Sequence, residues 1–431
     1  MTRPLPRLLG LAALLLAGGA WAAKVEMYSF PEYSDYAATV LGTPAPLQAE
    51  MPAYDGLPRK DYRITVFPGR EVPEVFWYDR ELQFSLLAQQ GKAPLVFAIA
   101  GTGGSANGGK MRILQRALYG AGFHVISLPS PTHANFLTAA SSTRHVGNPE
   151  DDARDLYTVM QLAYAKVAER VEVDGFALVG YSLGGLQTPF VLRVDDEQKQ
   201  FNFRRALMIN PPVSLFDSVG KLDAIFDRSG LGDPARYIAF RDEVFEALSD
   251  VYRGSDTISF SGQDFLYQVY REKGPSDETL AKLVALTFRI SAGNLVFVTD
   301  VLNKSNYIVP AAYRLTSTTR LTDYAKVAFN TSFVRYFDDL YAPYYRQRKP
   351  GVSDRDLVDA ASLKAIESTL RNDARLGMLH NADDIIMLPG QVDYLAGLLG
   401  DRATIYPFGG HCGNMDHRDN VAAMVKWLRG G

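Results

Sequence analysis

Pro94-Leu95-Val96-Phe97-Ala98-Ile99 is an unbroken apolar run of strand length, and it constrains the fold more than any other stretch of the chain. Such a run offers no polar face to water, so it must be buried on both sides, as in a parallel sheet covered by helices. The sequence after it alternates as that arrangement demands. A helix is predicted near Lys110 to Tyr119, a strand over Phe123 to Leu128, a helix from Pro149 to about Arg170, a strand over Gly175 to Gly180, a helix after Leu183, and a strand over Arg205 to Asn210. The helix at Pro149 is well marked: Asn148 supplies a cap, Pro149 takes the first helical position, and Glu150, Asp151 and Asp152 sit on the positive end of the dipole. Upstream, Arg63 to Phe67 and Val75 to Leu87, the latter around a reversal, read as further strands. The pattern is that of an α/β protein with a mainly parallel sheet flanked by helices.

After the sixth strand the alternation stops for about 160 residues and resumes at Arg375. The interval is mostly helical sequence dense in aromatics: Phe226, Phe240, Phe245, Tyr267, Tyr270, Phe288, Tyr336, Phe337, Tyr344 and Tyr345. It reads as a helical cap, 214–370, inserted into a core formed by 23–213 and 371–431. The core closes with a strand near Leu376 to Leu379, a helix over Gly390 to Leu399 ended by Gly400, a strand over Ala403 to Tyr406 and a helix over Val421 to Leu428. Within the cap, Ser332 to Tyr341 carries an aromatic stripe expected mainly to pack an amphipathic helix.

Residues 1–22 have the form of an export signal: Arg3 and Arg7, an apolar stretch from Leu8 to Ala17, and Ala20-Trp21-Ala22 before the expected cut. The apolar stretch is shorter than the ~20 residues of a spanning helix, and no later run is expected to span a bilayer, so a periplasmic or secreted location is predicted. With 45 Lys and Arg against 48 Asp and Glu, no basic field exists to neutralise nucleic-acid phosphates. The single cysteine, Cys412, can form no internal disulfide, and neither H-E-x-x-H nor another ligand cluster is present, so no metal or cofactor is implied.

Gly180-Tyr181-Ser182-Leu183-Gly184 matches G-x-S-x-G, a weak pattern alone, but it follows the apolar strand Phe176 to Val179 and opens a helix. That setting is what a nucleophile elbow needs, with small residues two before and two after the serine. The Leu183 N–H would then face a developing oxyanion. A serine needs a base, and the base an orienting carboxylate. His411, in the glycine-rich loop after the last strand, is the candidate base. His124 is expected to be a core residue, His133, His145 and His417 to face solvent, and His380 to be structural. The acid follows the preceding strand, where Asp384 is preferred, Asp383 is its alternate, and Asp217 is a more distant third.

On these residues the chain resembles the α/β-hydrolase superfamily, most closely its serine esterases and lipases, across two blocks of about 60–213 and 372–431 in the order serine, acid, histidine. The resemblance implies hydrolysis of a small or lipid-like acyl ester through an acyl-enzyme, with activity rising with pH as the base loses its proton. It differs at the third strand, where Ala100-Gly101-Thr102-Gly103-Gly104 replaces the frequent His-Gly, leaving Thr102 or Gly103 as the second oxyanion donor. Competing readings are a binding protein without catalysis, a cysteine nucleophile at Cys412, and a phosphate loop. For the last, Gly104 to Lys110 nearly fits, but Met111 stands where a hydroxyl should hold Mg²⁺, and Leu295 to Asp300 would have to be the metal-binding strand. The alternative for that segment is a solvated Lys110 and glycines that let the loop pass close to Ser182.

Overall fold

The computed structural model describes residues 24–25, 28–240, 242–243 and 275–430. Residues 1–22, read above as an export signal, and the aromatics Phe245, Tyr267 and Tyr270 lie outside them. Helix α1 (Asp35–Leu41) precedes strands β1 (Arg59–Ile64), β2 (Leu82–Leu87) and β3 (Lys92–Ile99). Then α2 (Gly109–Gly120), β4 (His124–Leu128), α3 (Pro149–Val167), β5 (Glu172–Tyr181), α4 (Leu183–Gln198) and β6 (Arg205–Ile209) alternate. The strands lie in the order β1-β2-β4-β3-β5-β6-β7-β8, where β7 is Leu376–Asn381 and β8 Ala403–Tyr406; a two-residue edge strand, Lys24–Val25, adds beside β8. Among the described strands only β2 runs antiparallel to the rest of the sheet.

The apolar run in β3 is buried on both faces, and its side chains divide between two cores by parity. Leu95, Phe97 and Ile99 join Leu178, Met208 and Met378 under α3 and α4. Val96, Ala98 and Ala100 join Val179, Leu207 and Leu379 under α2 and the closing helix Arg418–Arg429. The period of two along each strand puts alternate residues on opposite faces, so a run with no polar member is stable only where both faces are covered.

The insertion follows β6, as expected. Helix α5 (Leu215–Ser229) packs along α6 (Asp277–Asn303), and shorter helices at Thr322–Phe329 and Phe333–Tyr336 lie against them. Its own core, from Leu295, Val296, Leu340 and Tyr341, meets Val75, Phe76 and Val146 of the hydrolase-like body. Arg289 ties the helices together: it pairs with Asp223 at 3.6 Å and lies over the Phe226 ring, while Asp223 accepts the Val334 N–H.

Several sequence expectations are corrected. The first strand ends at Ile64, because Pro68 and Gly69 (φ +79°) turn the chain, and its residues Arg59 to Arg63 form a polar edge with little apolar signal. Glu74–Asp79 is a 3₁₀ turn, and only Leu82–Leu87 is strand. Leu295 to Asp300 is helix, not a metal-binding strand. Helix α6 is by length and mean hydropathy (1.4) apolar enough to cross a membrane, contrary to expectation, but two-thirds of its most apolar window is buried inside the protein.

Candidate active site

Strand β5 ends at Tyr181 and α4 begins at Leu183, leaving Ser182 alone in the turn with φ 54° and ψ −122°. A non-glycine residue at positive φ carries strain, here held by a Ser182 N–H bond to Ile209 O at 2.8 Å. The turn closes only because its flanks lack side chains. A Cβ on Gly180 would lie 2.0 Å from Gly184 O, and one on Gly184 would lie 2.3 Å from Ile99 O.

The loop after β8 brings His411 back over the sheet. His411 Nε2 stands 2.8 Å from Ser182 Oγ, and Nδ1 stands 3.0 and 2.9 Å from the two oxygens of Asp384. A carboxylate against Nδ1 places the ring proton there and turns the Nε2 lone pair toward the serine. Asp384 is buried and also accepts Asn210 Nδ2–H (2.9 Å) and Ile386 N–H (3.1 Å). Burial works against its charge, but His411, His380 and the Ile386 N–H together outweigh that and hold the carboxyl below the usual range.

Asp383 points elsewhere, accepting the Gly409 and Gly410 N–H groups at 3.0 and 2.8 Å and so bracing the histidine loop. Burial, with Asp35 and Asp384 adding to it, outweighs those bonds and pushes its pKa up to about 6. Asp217 is remote from His411: it sits in the first turn of α5 and accepts Gln391 Nε2–H. Gly103 gives its N–H to Thr132 Oγ1 at 2.8 Å, whereas no described residue takes the Thr102 or Leu183 N–H.

Three of the other histidines, His133, His145 and His417, differ from expectation. His145 and His417 are buried rather than solvent-facing; His145 stacks on Tyr344, and His417 caps the last helix. His133 is partly buried and caps Ala134–Ala139. His124 is a satisfied core residue between Gln89 N–H and Glu172 O. His380 accepts the Asn381 N–H at Nδ1 and contacts Pro211 O through Nε2, a structural role. Cys412 is buried, and burial drives its thiol pKa well up, which suits an inert side chain rather than a nucleophile. Lys110 is not simply solvated, since Nζ donates to Cys412 O at 2.6 Å. The glycine that passes closest to the serine is Gly101, whose Cβ would lie 2.9 Å from Ser182 Cβ.

Three contributors escaped the sequence reading. Asn210 orients Asp384; its place at the end of β6 before two prolines, with φ 46°, is a turn signal of the type asparagine tolerates. Thr39 Oγ1 accepts the His411 N–H at 2.9 Å, and Asn381 Nδ2 donates to Gly410 O at 2.7 Å. Nothing in residue type or spacing distinguishes those two.

A small apolar cavity, about 50 Å³, opens beside Leu183 and Thr102. Its far walls are cap aromatics, Phe333, Tyr336, Phe337 and Tyr341, with Phe216 and Val219 of α5. The aromatic stripe is therefore packed, as expected, but the same rings also bound a void. Phe337–Tyr341 is a π-helical turn, an irregularity that often accompanies functional sites.

The strand order, the lone antiparallel β2 and the serine on a tight turn between β5 and its helix define the α/β-hydrolase fold. Among solved structures the chain is similar to an acylaminoacyl peptidase of Pyrococcus horikoshii (10% identity, 86% of this chain and 41% of that one, TM-score 0.42), spanning less than half of its length. It is also similar to a thermostable esterase of Pseudomonas putida (14%, 88% and 82%, 0.39) and to an esterase of Pyrococcus furiosus (9%, 96% and 98%, 0.40). No family model and no curated protein sequence matches it.

Proposed function

We propose that the protein is a serine hydrolase that cleaves a small acyl ester through an acyl-enzyme, and that residues 1–22 direct its export. The observation that carries this reading is the continuous chain from Ser182 Oγ through His411 to Asp384, each link at 2.8–3.0 Å. In this mechanism His411 Nε2 takes the proton of Ser182 as Oγ attacks the carbonyl, and Asp384 stabilises the imidazolium. The same proton passes to the leaving oxygen, and water then repeats the sequence on the acyl-enzyme. The Leu183 and Thr102 N–H groups receive the oxyanion, each contributing about 3 kcal/mol by comparison with such donors elsewhere. The acyl chain enters the apolar cavity, which touches both donors.

A fluorophosphonate probe tests the assignment. The wild type should be labelled at one serine and Ser182→Ala not at all, with ester turnover lost in parallel. Labelling that persists in Ser182→Ala would overturn the nucleophile.

A further inference from the structure

A second cavity shares Thr102 with the apolar one, and its lining has a different character. It is bounded by the Gly101 to Ser105 turn, the start of α2, His133, and Phe288 of α6, and it contains both Ser182 and His411. Among the residues that line it none is acidic, and Lys110 supplies the formal positive charge. Three of its lining groups are donors with unused capacity. Lys110 Nζ gives one N–H to Cys412 O and keeps two more. Gly108, the residue before α2, offers no side chain to cap the first N–H groups of that 12-residue helix, whose opening residues Gly109 and Lys110 line the cavity. His133 accepts the Asn135 N–H at Nδ1, so its proton sits on Nε2, and no described residue accepts from that nitrogen. Burial depresses the His133 pKa to about 4, which keeps the ring neutral and that tautomer fixed near neutral pH.

Spare donors around one cavity that no carboxylate lines suit an anionic partner. We infer that the alcohol half of the ester carries an anionic group, a carboxylate or a phosphate, held by Lys110, the His133 Nε2–H and the opening N–H groups of α2. The inference rests on the serine-hydrolase reading. It also accounts for the near match to a phosphate loop at Gly104 to Lys110: the segment receives an anion on the substrate, while Met111 leaves no hydroxyl for a nucleotide-bound Mg²⁺. In hydrolysis the acyl–oxygen bond breaks, the leaving oxygen takes the proton from His411, and the anionic alcohol departs from the donor-rich side.

The test compares three butanoate esters, of ethanol, of 3-hydroxypropanoate and of 2-hydroxyethyl phosphate, on the full chain. At least one anionic ester should exceed the ethyl ester by about tenfold or more in kcat/KM, chiefly through KM, and Lys110→Gln should reduce that preference to about twofold or less. Which anionic ester is preferred separates carboxylate from phosphate. Equal use of all three, or a preference that survives Lys110→Gln, overturns the inference. Should Lys110→Gln fail to fold, inorganic phosphate at constant ionic strength should slow fluorophosphonate labelling of wild-type Ser182 saturably, and absence of protection by both phosphate and acetate overturns it. Labelling in the wild type stands apart from these outcomes: an unlabelled wild type defeats the serine reading itself, whereas a labelled enzyme with no anion preference defeats only this inference.

Discussion

Asp383 and Asp384 are neighbours in the chain with opposite surroundings. Asp384 faces His411 and three other polar groups and stays charged; Asp383 turns outward to two backbone N–H groups and has its pKa pushed up to about 6. Asp384→Asn should place an amide against Nδ1, favour the wrong tautomer and lower kcat about 10³- to 10⁴-fold without unfolding the protein. Asp383→Asn keeps one acceptor for the Gly409 and Gly410 N–H groups, and its kcat should fall by no more than about tenfold, with a lower Tm. Steady-state kinetics on one ester, with thermal melts, check both. Equal losses in the two variants would remove Asp384 from its role. At the oxyanion side the same logic separates Thr102 from Gly103, whose N–H is already committed to Thr132.

At the level of elements, the cap contributes both packing and shape. Helix α5 presents Phe216 and Val219 to the apolar cavity while Asp223 and Phe226 anchor Arg289 of α6. A larger side chain at Val219 should therefore fill the void without breaking that anchor. Val219→Trp is expected to lower kcat/KM for octanoate esters by about tenfold or more relative to acetate esters, because a buried chain gains about 0.8 kcal/mol per methylene only where space exists. An unchanged chain-length profile would place the acyl chain elsewhere. The membrane-length hydropathy of α6 has a similar origin: it is apolar because it forms the middle of the cap, with only part of its surface turned to water.

For the whole molecule, buried titratable groups set opposing dependences of stability on pH. Asp155 accepts the Ser142 N–H and Oγ–H, yet burial raises its pKa from 3.8 to about 6. The folded state thus binds that proton more tightly than the unfolded one. The stabilisation is complete below pH 3.8 and is lost as pH rises through about 6. His133, lowered to about 4 from 6.5, acts in reverse: its contribution is present above pH 6.5 and lost as pH falls toward 4. Urea unfolding of wild type and Asp155→Asn at pH 4 and pH 7 isolates the first effect. The wild-type advantage should shrink at the higher pH, by about 3 kcal/mol at most, from 1.36 kcal/mol per pKa unit. A difference independent of pH would show that Asp155 is charged throughout.

What the sequence determined by itself was periodicity and local stereochemistry. An all-apolar β3, the Asn148-Pro149 helix start and the Gly180 to Gly184 turn are each legible because the cause lies within a few residues. The pairing of Ser182, His411 and a carboxylate at Asp383 or Asp384 could be anticipated from the glycine-flanked serine turn and from where the acids and the glycine-rich loop follow the last predicted strands, together with the family resemblance. Only the tertiary structure decided which acid faces the imidazole, which N–H remains open near Thr102, and that Asn210 and Thr39 support the site. Those choices depend on side-chain direction and on contacts between residues as distant as Thr39 and His411, where burial and competing hydrogen bonds, rather than local preference, fix the outcome.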